Sequence, residues 1–140
     1  MGKNNNNQRP QRRSNPKNPD PMSNSRSMAR EGIRIIRNIA FGKCNIASEG
    51  YLFQNESFVK ATIGEVDKRI MDLKIHINAI NYAYRGTTSE EVNSLLFRDM
   101  KALNGWSLVR NQLYNILYSN GDLGFLYTIA NKLPEYKYYI

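Results

Sequence analysis

The chain has 140 residues, with 20 Lys and Arg against 12 Asp and Glu, one Cys and one His. That length holds one domain at most. A single Cys excludes an internal disulfide, and one His with one Cys is too few for a His/Cys metal cluster, so no metal or other cofactor is expected.

The charge is uneven. Residues 1–37 carry nine basic groups against Asp20 and Glu31, a net of +7, while residues 38–140 carry eleven basic and ten acidic groups, a net of +1. A near-neutral body behind a cationic front points to an anionic partner, either nucleic acid or an acidic protein surface.

Residues 1–26 read as a disordered basic arm. After the run Asn4–Asn7 comes QRPQRRSNPKNPDP, with Arg9, Arg12, Arg13 and Lys17, and four of the five prolines lie here. Between Met1 and Met22 there is no aliphatic or aromatic side chain, so ordering entropy has nothing to offset it. Extended, such an arm reaches on the order of 80 Å. It carries no secretory signal, and no apolar run approaches the roughly 20 residues a membrane span needs. Met1-Gly2 lacks the Ser or Thr at position 6 that myristoylation favours, since Asn6 stands there. A cytoplasmic or intracellular site, without membrane attachment, is expected.

Residues 27–140 read as an all-α domain, a bundle of four or five helices. The first predicted helix runs from Ser27, as N-cap, to Phe41, with Gly42 as its stop. Arg26, Arg30, Arg34 and Arg37 fall within about 80° of one another on it, with no acid interleaved in the stripe. Met28, Ile35, Ile36, Ile39 and Ala40 take the other side. This cationic stripe continues the charge of the arm, and the eight basic residues from Arg9 to Arg37 are the candidate nucleic-acid contacts. Residues 43–56 break the period and read as a loop, with Tyr51, Leu52 and Phe53 tucked onto the bundle.

The second predicted helix, Ser57 to Arg85, is the most regular part of the chain. Val59, Ile63, Val66, Ile70, Leu73, Ile77, Ile80 and Tyr84 follow an unbroken 4-3-4-3 spacing, and Gly86 closes the helix. Such a heptad seam needs a partner, inside the bundle, on another subunit or on a second copy. Phe58, Met71, Ile75 and Ala79 widen the apolar stripe, which favours the bundle interior.

Thr88-Ser89-Glu90-Glu91 is a capping box for a third helix that Asn104-Gly105 should end. A fourth follows from Trp106 to Tyr118. The pair has the outline of a helix-turn-helix, with Ser107, Arg110, Asn111 and Gln112 able to read base edges. That is the alternative reading, a small DNA-binding regulator; a protein-only adaptor or inhibitor is another. A short fifth helix, Leu123 to Lys132, stops before Pro134. Tyr136, Tyr138 and Tyr139 near the last residue are either a lid over the bundle or a docking surface for another subunit.

No catalytic constellation can be drawn. Lys43 beside Cys44 could lower the thiol pKa, but no base is near it in sequence. Glu65, Asp67 and Asp72 alternate with Lys68, Arg69 and Lys74, as surface ion pairs do. The expectation is a non-enzymatic structural protein that helps assemble a larger particle, of virion or ribonucleoprotein type.

Overall fold

A computed structural model describes residues 20–87 and 89–140. The fold is all-α. It comprises α1 (Ser25–Ala40), α2 (Ile46–Glu49), α3 (Glu56–Ala83), α4 (Glu90–Tyr118) and α5 (Gly124–Lys132), with 3-10 turns at Gly50–Gln54 and Leu133–Tyr136. Among the described residues there is no strand, and no helix is long and apolar enough to cross a membrane. Arg9, Arg12, Arg13 and Lys17 lie outside the described residues.

α1 starts earlier than its predicted N-cap. Asn24 caps it, its side chain accepting from the Ser27 N–H at 2.9 Å, and Ser27 itself is buried in the first turn. Met22 already packs against the core. The fold therefore reaches back before residue 27 and includes Arg26 in α1. The predicted loop at 43–56 also holds structure: Asn45 caps α2, Phe53 is fully buried edge-on to Phe58, and only Tyr51 of the predicted trio stands exposed.

α3 and α4 form a long antiparallel hairpin, and α1 lies along the first half of α3. The heptad seam explains this. Val59, Ile63, Val66 and Ile70 are buried under α1 and α4, in one core with Ile35, Ile36, Trp106, Val109, Leu113 and Leu126. The approach of α1 is set by Gly32, where an added Cβ would stand 2.0 Å from Thr62 Oγ1. Thr62 is itself buried, its hydroxyl donating to the Phe58 carbonyl at 2.8 Å. Beyond Ile70 burial on α3 narrows: Leu73 and Ile77 are half-buried, Ile80 is buried, and Tyr84 is exposed.

The break expected at Asn104-Gly105 does not occur. α4 runs through it without interruption, so the helix-turn-helix outline is absent. Gly105 is a packing notch, since a Cβ there would stand 2.8 Å from Ile140 and 2.9 Å from Tyr136. The last residues fold onto α4 in that notch. Tyr136 and Tyr139 are half-buried, Tyr139 lying edge-on to Phe97, while Tyr138 remains exposed beside Phe41.

Candidate polyanion groove

The arginine stripe of α1 faces α3 across an open groove of about 740 Å³, lined by Arg26, Arg30, Arg34, Arg37 and Arg69 with Glu31 and Glu65. Four of the eight predicted anionic contacts are brought together here. The rise of α1 puts the Cα atoms of successive arginines roughly 4.5 to 6 Å apart along the axis. Such a row can follow a chain of phosphates or carboxylates.

The five guanidiniums are not equivalent. Arg34 is held by Glu31 in a two-pronged pair, 2.8 Å from Nε and 2.5 Å from Nη2. That hydrogen bond raises its pKa further above the ordinary arginine range. The stripe thus carries an acid after all, because Glu31 lies one turn before Arg34. Arg69 Nε lies 3.2 Å from Glu65 Oε2 but is not aimed at it and makes no hydrogen bond. Arg26 and Arg30 have no carboxylate partner among the described residues, and both are exposed.

Arg37 and Arg69 share one support. Their guanidiniums lie 5.8 and 5.1 Å from the ring centroid of Trp106, which is buried. This holds two like charges close together at one end of the groove. Partial burial, then the neighbouring Arg69 charge, lowers the pKa of Arg37. An anion bridging the two would relieve that repulsion. Arg69 and Trp106 could not have been assigned to this site from the sequence. Arg69 belongs to a helix read for its seam, and Trp106 looked like the start of a separate helix.

The other candidates fall elsewhere. Arg110, a candidate base reader, is tied to Asp67 at 2.6 Å and lies over Tyr114. The Cys44 thiol is pushed up in pKa by burial, then by Glu49, with Arg34 opposing, so Lys43 does not activate it. Lys43 instead lies over the Phe41 ring. His76 is exposed and hydrogen-bonds Asp99 across the hairpin. Among the described residues no group of three His, Cys, Asp or Glu side chains is placed to hold a metal.

No protein-family model, curated protein or solved structure matches this chain.

Proposed function

We propose that this protein is a non-enzymatic assembly component of a larger particle, of virion or ribonucleoprotein type, acting inside the cell or within that particle. Its basic N-terminal region and the α1 groove hold nucleic acid, or an equivalent acidic protein groove, while the helical body contacts protein. The observation that carries the reading is the row of four arginines on α1 joined by Arg69 of α3, five guanidiniums against two carboxylates. Arg26 and Arg30, without carboxylate partners among the described residues, supply the exposed charge. The indole beneath Arg37 and Arg69 is covered by them, so the groove offers charge and no open stacking face. Binding would follow the backbone of a nucleic acid and tolerate its sequence.

The test is binding of the full chain and of residues 20–140 to mixed RNA and DNA across a salt series. Truncation at 20 keeps Met22 and the Asn24 cap, which a cut at residue 27 would remove. Salt-steep, sequence-tolerant binding that weakens but persists in the shorter chain supports the reading. Absence of binding by both at low salt refutes the nucleic-acid contact and favours the protein-only adaptor.

A further inference from the structure

The outer side of α3 carries a second heptad that the fold does not use. Gly64, Lys68, Met71, Ile75, Asn78 and Tyr82 follow 4-3-4-3-4 spacing, and all six are exposed. At 100° per residue this stripe lies about 125° from the buried seam of Ile63, Val66 and Ile70. Met71, Ile75 and Tyr82 are 58%, 59% and 71% exposed. Gly64 sits inside the helix with no atom within 4 Å of where a Cβ would stand, so nothing in its own chain requires a glycine there.

We propose that this stripe is a self-association seam, packing antiparallel against the same stripe of a second copy about a two-fold axis at the level of residue 73. The proposal deepens the protein-contacting half of the assembly role, rests on that half alone, and does not use the arginine groove.

The occupant follows from the order of side chains. Reversing the stripe about residue 73 sets Tyr82 over the partner's Gly64, Lys68 over the partner's Asn78, and Met71 over the partner's Ile75. Each match is favourable. The largest side chain enters the notch left by the smallest, the ammonium donates to an amide oxygen, and the two apolar residues cover each other. Arg85 lies over one face of the Tyr82 ring at 4.7 Å, helping to fix it. A parallel pairing would stack Lys68 on Lys68 and Tyr82 on Tyr82, and would leave Gly64 facing Gly64 across a void. The stripe is thus complementary to its own reverse. Residues 64–82 give a contact about 28 Å long.

Two pairs of like charges flank the axis, Asp72 facing Asp72 on one side and Lys74 facing Lys74 on the other. Salt screens them, so self-association should strengthen with ionic strength while polyanion binding weakens.

The test is light scattering of the full chain without nucleic acid, over a concentration and salt series. The expected result is a rise to twice the chain mass, at lower protein concentration when salt is raised. Met71→Glu with Ile75→Glu should weaken association on the order of a hundredfold, with helix content by circular dichroism unchanged because both positions are exposed. Register is read from cross-linking with a short bis-maleimide in a Cys44→Ser background. Asp72→Cys, on the flank of the axis, should link two copies and Tyr82→Cys should not. A monomer at every concentration, a dimer indifferent to M71E/I75E, or capture by Tyr82→Cys in place of Asp72→Cys would each overturn the proposal. A monomer that still binds RNA would end this proposal and leave the groove reading standing; a dimer that ignores RNA would do the reverse.

Discussion

Arg37 reaches the main-chain oxygen of Ile140 with both Nε, at 3.0 Å, and Nη2, at 2.6 Å, a contact spanning 103 positions of sequence. One guanidinium thus lines the groove, rests on Trp106 and holds the last residues against the bundle. Arg37→Ala should cost about 1 kcal/mol of stability, the scale of a hydrogen bond to a partly exposed charge. It should also speed amide exchange at Tyr138–Ile140 before any other segment. Arg37→Lys should restore less than half of the loss, because an ammonium does not present two parallel donors. Chemical denaturation with hydrogen exchange by mass spectrometry measures both effects. Unchanged protection of residues 138–140 in R37A would show that the tail is held by packing alone.

Three helical glycines should answer to alanine with different signs. At Gly32 the new methyl would meet Thr62, and a loss of about 2 kcal/mol is expected, partly recovered by Thr62→Ala in the same chain. At Gly105 the methyl would meet Tyr136 and Ile140, so Gly105→Ala should release the tail and lower stability even though alanine favours helix more. At Gly64 nothing stands within 4 Å, and Gly64→Ala should raise monomer stability by about 0.5–1 kcal/mol. Urea titrations of the three variants test the set. Stabilisation by all three would mean that α1 and the tail do not approach as closely as the geometry shows.

Arg26 and Arg30 should act as phosphate contacts with little structural role. Both are exposed on α1 without an ion-pair partner among the described residues, so Arg26→Gln with Arg30→Gln should leave the melting temperature nearly unchanged. The slope of log affinity for RNA against log salt should fall by about two, one for each neutralised phosphate. An unchanged slope would place the bound polyanion elsewhere on the chain.

Cys44 should be a slow thiol. Burial raises its pKa above the ordinary value, so the folded protein keeps the proton over a pH range where the unfolded chain has lost it. By linkage, this contribution to stability is full below the unfolded pKa and fades as pH rises through the folded one. Iodoacetamide at pH 8 should therefore alkylate Cys44 more slowly in the native than in the urea-unfolded protein, and the native rate should keep rising at higher pH than the unfolded rate does. Faster alkylation in the native state would mean that Lys43 or Arg34 governs the thiol.

The sequence by itself determined the helical class, the length and inner seam of α3, the stop signals at Gly42 and Gly86, and the arginine stripe. These rest on local periodicity and on backbone conformation: both glycines adopt positive φ, a property of the residue and its immediate neighbours. Only the tertiary structure decided the rest. Asn104-Gly105 reads as a stop in isolation, yet α4 continues because the tail fills the space above Gly105. Arg69 joins Arg37 over Trp106 because the touch of Gly32 on Thr62 sets α1 beside α3. Met71, Ile75 and Ala79 read as widening the inner stripe, yet all three are exposed, because a spacing cannot say which face its own chain will cover. Burial of Ile63, Val66 and Ile70 under α1 and α4 answers that, and leaves Met71, Ile75 and Tyr82 exposed.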